Sequence, residues 1–102
     1  MKPLTVINRL VIKPGKMDEF IDSQRTFGAA TMNTHEGLIS SRMYRGVDGT
    51  TAILVSQFTS KEAQEAVMKD PVFKDHLRTL QPLVDSSSPS LCEEAYTSGH
   101  PR

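Results

Sequence analysis

Two segments of the chain, Leu4–Ile12 and Thr51–Phe58, alternate in a way that places apolar residues on both sides of a strand. In each segment the even-numbered positions are the more apolar: Leu4, Val6, Leu10 and Ile12, then Ala52, Leu54 and Phe58. The odd-numbered positions add Ile7 and Val11 in the first segment, and Ile53 and Val55 in the second. Successive strand residues point to opposite faces of a sheet, so these strands predict a sheet with two apolar faces. The chain has enough helix to cover only one face, and a second copy of the chain is expected to cover the other.

In other segments the apolar residues recur with the period of an α-helix. A first helix is predicted from Lys16 to about Thr34, and Ser60 is placed to cap a second helix from Lys61 to about Lys69. Asp70 can cap a third, which begins with Pro71 and runs towards Pro82. The apolar stripes of the first and third helices are Met17, Phe20, Ile21, Phe27 and Thr31, and Phe73, Leu77 and Leu80.

The remaining segments complete the order of elements. Leu38–Arg45 is predicted to be a half-exposed strand, joined to the next strand by the hairpin turn Gly46–Gly49. Residues 85–89 are predicted to be a polar linker, Ser90–Thr97 a short last strand, and 98–102 a flexible tail containing His100. The order β-α-β-β-α-(α)-β predicts a single α+β domain over residues 1–97, with a ferredoxin-like fold and an antiparallel sheet.

Composition narrows the classes of function. Twelve Lys and Arg balance twelve Asp and Glu, and Trp is absent, so nothing favours nucleic-acid binding. The single cysteine, Cys92, excludes an internal disulfide and favours a reducing, cytoplasmic compartment. Met1–Leu4 leads into a strand without the apolar core of a signal peptide, and no apolar run approaches about 18 residues, so no membrane segment is expected.

Three stretches resemble the antibiotic biosynthesis monooxygenase family, whose small ferredoxin-like domains pair into a dimeric α/β barrel. They are Val6–Leu10 followed by Lys13–Lys16, then Gly37–Arg45, then Phe58–Ala63 continuing to Pro71–Phe73. The resemblance spans about Leu4–Tyr96 and implies a homodimer. Family members include oxygenases that use no metal or flavin, haem-degrading oxygenases, and many proteins with no established reaction, so the resemblance implies either of the two activities or neither.

The haem-degrading relatives carry three features, of which this chain keeps one. Asn8 matches their first-strand asparagine, whereas Val67 stands in place of a tryptophan and their histidine aligns with Leu77, one place beyond His76. A shift of one residue turns a helical side chain by about 100°. Phe58 stands where the family usually has tryptophan at the end of the third strand, and it is a candidate substrate contact.

Asn8 and His76 are the candidate catalytic residues. Asn8 lies on an apolar strand face, where its amide would either orient a substrate oxygen or bond internally, because an unpartnered buried amide costs about 1–3 kcal/mol. His76 could act as a general base towards a phenol or enol, since its ordinary pKa lies near 6.5. Its position beside the apolar stripe is equally typical of a surface histidine.

Arg42 and Tyr44 share one face of the predicted second strand. They would clamp an anionic or quinonoid substrate, or they would form a dimer contact, because both residue types are enriched at interfaces. No phosphate loop, metal cluster or Ser-His-Asp pattern is present in the sequence.

Three functions remain open. The first is a cofactor-independent monooxygenase acting on a quinol, phenolic or polyketide-like aromatic compound, which needs only an apolar pocket, a base and a hydrogen-bond donor. The second is haem binding and degradation through Asn8 and His76. The third is a dimeric barrel that binds a small hydrophobic or aromatic molecule without reaction.

Overall fold

The predicted order of elements is confirmed in a computed structural model, which describes residues 3–99. Met1, Lys2 and residues 100–102, with His100 and most of the predicted tail, lie outside the described residues. The elements are β1 (Leu4–Ile12), α1 (Met17–Thr34), β2 (Leu38–Arg45), β3 (Thr51–Phe58), α2 (Lys61–Lys69), α3 (Pro71–Leu80), a short 3₁₀ turn (Gln81–Leu83) and β4 (Val84–Cys92).

The four strands form one antiparallel sheet in the order β2-β3-β1-β4. One face of this sheet, the helix face, carries the even-numbered residues of β1 and β3 and packs against the helices. Leu10, Ile12 and Ala52 from this face form a core cluster with Phe20 of α1 and Leu80 of α3. A second cluster lies at the other end of the sheet and contains Leu38, Phe58 and Val67. The core therefore lies between the sheet and one layer of helices.

The opposite surface of the sheet, the open face, carries the odd-numbered residues of β1 and β3, and no helix in the described part of the chain packs on it. Ile7 and Val55 are opposite one another in the β1–β3 register, and Ile53 lies opposite Tyr44 of β2. The Ile7 and Tyr44 residues are 39% and 48% exposed. The prediction of apolar residues on both faces is thus confirmed.

The predicted linker at residues 85–89 was wrong, because these residues lie in the middle of β4. This strand pairs with β1 along nearly its whole length, and Pro89 lies opposite Asn8. The predicted strand Ser90–Thr97 therefore holds only to Cys92. A strand at the edge of a sheet tolerates serine and proline, since one side of its backbone needs no partner strand.

The helix caps and the hairpin turn are present at the residues where the sequence predicts them. Ser60 Oγ accepts from the Ala63 amide at 3.1 Å, and Asp70 Oδ1 accepts from the Val72 amide at 2.9 Å. In the β2–β3 hairpin, Asp48 Oδ1 accepts from the Thr50 amide at 2.8 Å. This bond, followed by that from the Thr51 hydroxyl, lowers the pKa of Asp48 to about 2, because both favour the charged carboxylate.

Two contacts join the end of α1 to the second helical segment. His35 Nε2 lies 2.8 Å from Asp70 Oδ2, and this hydrogen bond is the main cause of the lowered pKa of Asp70. Gly37 lies directly against Ala63 at the start of α2, where a Cβ on Gly37 would overlap the Ala63 Cβ. None of the helices within residues 3–99 has both the length and the apolar character needed to cross a membrane.

Candidate active site

A cleft of about 700 Å³ opens between the helix face and the helices. Hereafter it is called the first cleft. Its floor is the helix face around Val6 and Leu54, and its walls come from the second half of α1, from α2 and from α3. At the beginning of α1, Phe20 is fully buried against the sheet. Further along, Gly28 contributes no side chain to fill the space.

His76 lies in the wall of the first cleft. Its ring stacks on Phe27 of α1 with centroids 4.0 Å apart and planes 2° from parallel. Its Nε2 hydrogen-bonds Gln24 Oε1. With the Gln24 amide oriented in this way, Nε2 carries the proton and Nδ1 holds the free lone pair. Burial lowers the pKa of His76, so the neutral imidazole predominates at pH 7.

Asn8 lies on the floor of the same cleft, near the centre of β1. Its Oδ1 accepts a hydrogen bond from Ser87 Oγ of β4 at 3.1 Å. Within residues 3–99 no hydrogen bond involves its Nδ2, which leaves two N–H donors for another group. The internal bond and a free donor thus coexist in one side chain.

The structure separates the other predicted site residues. Phe58 lines the first cleft and is 6% exposed. Arg42 and Tyr44 share a face as expected, and Arg42 Nη1 lies 3.4 Å from the Tyr44 hydroxyl. That face is the open face, because Arg42 pairs with Val55 and Tyr44 with Ile53. Neither residue contributes to the wall of the cleft that contains Asn8.

Sequence reasoning missed three polar residues of the first cleft. Gln24 hydrogen-bonds and orients His76, and Ser87 does the same for Asn8. Gln64 lies in the cleft wall and is only 9% exposed. Gln24 had a detectable signal, since it is a polar residue within the apolar stripe of α1. Ser87 had none, because it belongs to the segment that was predicted to be a linker.

The surroundings of His76 do not fit a haem ligand. Its Nε2 is engaged by Gln24 and its ring is held flat against Phe27, so binding iron through Nε2 would require the imidazole to leave Gln24. Within residues 3–99, no three side chains of His, Cys, Asp or Glu come together as a metal site.

Sequence comparison assigns the class of protein. The profile of the antibiotic biosynthesis monooxygenase family matches residues 3–79, and the chain belongs to that family. The predicted family is thereby confirmed. No curated protein matches the chain.

Solved structures share the fold at low sequence identity. SnoaB from Streptomyces nogalater, described as a cofactor-independent oxygenase, is 21% identical with a TM-score of 0.85, covering 95% of this chain and 97% of SnoaB. A protein from Pseudomonas aeruginosa is 16% identical with a TM-score of 0.82, over 94% of this chain and 97% of that one. A Mycobacterium tuberculosis protein is 16% identical with a TM-score of 0.81, over 95% and 99%. These similarities establish the ferredoxin-like fold.

Proposed function

We propose that this protein is a cofactor-independent monooxygenase acting on a small electron-rich aromatic compound, such as a quinol, a phenol or a polyketide-like ring system. The observation that carries the proposal is the pairing of His76 and Asn8 in one apolar cleft. Among residues 3–99, no group hydrogen-bonds the lone pair of His76 Nδ1 or the N–H donors of Asn8 Nδ2. A base and an oxyanion donor are the two groups that such a reaction requires.

The proposed reaction begins with proton transfer from a substrate carbon next to a phenol ring to His76 Nδ1. Asn8 Nδ2 donates to the substrate oxygen, on which negative charge accumulates. The carbanion passes one electron to O₂, and the two radicals combine into a peroxide anion. The imidazolium of His76 then returns its proton to this anion, which gives the hydroperoxide. Loss of water then converts the CH₂ group to a carbonyl, so one oxygen atom enters the product and the other leaves as water.

The walls of the first cleft support this chemistry. Most of the lining is apolar, and a hydrogen bond to a developing anion is stronger in a poorly solvated site than in solvent. The stack on Phe27 fixes the His76 ring, so little reorganisation accompanies proton transfer. SnoaB, which shares the fold, is described as an oxygenase of this kind.

The test is O₂ uptake with anthrone as substrate, because anthrone carries the CH₂ group that the reaction requires. We expect Asn8→Ala to lower the rate about 10²-fold and His76→Ala about 10²-fold or more, since each removes one catalytic contribution. Asn33→Ala and Lys74→Ala, on exposed positions of α1 and α3, are the matched controls and should retain the rate. Unchanged uptake in both Asn8→Ala and His76→Ala would remove these residues from the mechanism.

The two other candidate functions have distinct outcomes in solution. Haem binding predicts a Soret shift on haemin titration that His76→Ala abolishes, and the Gln24 and Phe27 contacts argue against it. A binding protein without activity would bind an aromatic compound in the first cleft without any O₂ uptake.

We also propose that the open face binds a second copy of the chain. Support comes from Ile7 and Tyr44, which leave apolar surface in contact with water on one copy. Burying such a surface is favourable at about 25 cal/mol per Å². Arg42 then acts at this interface rather than in the cleft. The lone free cysteine, Cys92, supports a reducing, cytoplasmic location.

A further inference from the structure

A second cleft, of about 570 Å³, lies on the other side of α1, between this helix and β2. It shares four wall residues with the first cleft: Gln24, Gly28, Ser41 and Leu54. Two of these residues come from α1 and two from the sheet beneath it. The two clefts therefore share a wall where α1 crosses over the sheet at Gly28.

Gly28 is not needed there for the backbone or for close packing. Within residues 3–99 the glycines with positive φ are Gly15, Gly49 and Gly99, so Gly28 has an ordinary helical conformation. A Cβ added to Gly28 would meet no atom within 4 Å. Glycine inside a helix is less favourable than alanine. The one structural consequence of Gly28 is open space under α1.

We propose that Gly28 determines substrate specificity by keeping a passage open beneath α1, through which an elongated aromatic substrate extends from the first cleft into the second. This inference rests on the proposed function, and it names the shape of the substrate. The reacting ring lies beside Asn8 and His76, and a polar end of the molecule reaches Arg45 in the second cleft. Arg45 pairs with Asp18 at 3.0 Å in an exposed ion pair, which is weak enough for the guanidinium to turn towards a ligand.

The length of the ligand can be tested without any reaction. Anilinonaphthalenesulfonate and aminonaphthalenesulfonate carry the same charge and differ by one phenyl ring, and the fluorescence of each reports its binding. We expect the wild-type protein to bind the longer probe at least tenfold more tightly than the shorter one. Gly28→Leu should weaken binding of the longer probe at least tenfold and leave the affinity for the shorter one within about twofold. The reason is that the added side chain closes the passage and leaves the first cleft unchanged.

Two further variants make the experiment decisive. Ala30→Leu places the same side chain on the exposed surface of α1, outside both clefts, and should bind both probes as the wild type does. Gly28→Ala adds one methyl group and should weaken the longer probe two- to threefold, while raising the melting temperature because alanine favours the helix. This variant gives the answer if Gly28→Leu does not fold.

Several results would overturn the proposal. They are wild-type affinities that do not differ between the probes, a Gly28→Leu protein that binds both as before or loses both equally, and a Gly28→Ala protein that melts at a lower temperature. Failure of the proposed function would give a different result. The protein would then show no O₂ uptake, while Gly28→Leu would still weaken binding of the longer probe only.

Discussion

At the scale of single residues, His76 is defined by its neighbours rather than by its place in α3. Leu77 belongs to the predicted apolar stripe but is 48% exposed, whereas His76 beside it is stacked and half-buried. Burial disfavours the charged imidazolium and lowers the pKa of His76. A base of this kind is free to accept a proton at neutral pH, but it is a weaker base than an exposed histidine.

The environment of His76 predicts the pH dependence of activity. The rate should rise as pH increases through a pKa below 6.5 and be flat above it. Gln24→Glu would place a carboxylate at the His76 ring and raise the pKa of His76 by about 1–3 units, since an opposite charge favours the imidazolium. Titration of the His76 ring by NMR measures this directly.

The control for that titration is Gln57→Glu, which adds the same charge on the open face. It should leave the pKa of His76 within a few tenths of a unit. An unmoved pKa in Gln24→Glu would mean that the two side chains are not in contact in solution.

At the scale of elements, the close approach of the α1–β2 connection to α2 holds the far end of the first cleft together. The Thr59 amide donates to the Gly37 carbonyl at 2.8 Å, so the loop and the start of α2 are joined through backbone as well as packing. Leu38 and Val67 pack together just beyond this point. A side chain on Gly37 would push α2 away from the sheet.

This contact predicts the effect of a single methyl group. Gly37→Ala should lower the free energy of unfolding by about 1–3 kcal/mol, because the new Cβ overlaps that of Ala63. Urea denaturation monitored by circular dichroism measures the change.

A change at Ala63 tests whether the overlap of the two Cβ atoms causes the loss of stability. Ala63→Gly alone should cost up to about 1 kcal/mol, because glycine is less favourable than alanine in a helix. Combined with Gly37→Ala it should cost less than the sum of the two single changes, because it removes the overlapping atom. Strict additivity would show that the cost arises elsewhere.

At the scale of the whole molecule, the helices form a single layer on one side of the sheet, and this leaves apolar side chains of the open face exposed. Its centre is apolar, with Ile7 and Val55 facing each other across β1 and β3. Arg9, Arg42 and Tyr44 surround this centre with side chains that can bond across an interface.

The homodimer prediction is checked by sedimentation velocity at micromolar concentration. The wild-type chain should sediment as a dimer, and Ile7→Lys should shift it to monomer because a charge would be buried at the interface. Val47→Lys is the matched control at the fully exposed hairpin and should remain dimeric. A folded wild-type chain that sediments as a monomer would contradict the prediction.

The sequence determined the elements whose signals are local. Alternation defined β1 and β3, Ser60 and Asp70 capped α2 and α3, and the Asp48–Gly49 pair marked the hairpin turn. These signals act within a few residues, so they can be read without the fold. The segment at residues 85–89 was misread because its strand conformation depends on pairing with β1, which is distant in sequence.

Only the tertiary structure decided which candidates share a site. The packing of α3 over the helix face brings His76 to the same cleft as Asn8, although the two residues are 68 positions apart in sequence. Arg42 and Tyr44 lie on the open face instead. Gln24 and Ser87, the hydrogen-bond partners of the two cleft residues, likewise come from distant elements. The physical reason is that residue type specifies what a side chain can donate or accept, whereas the packing of helices on a sheet specifies which side chains meet.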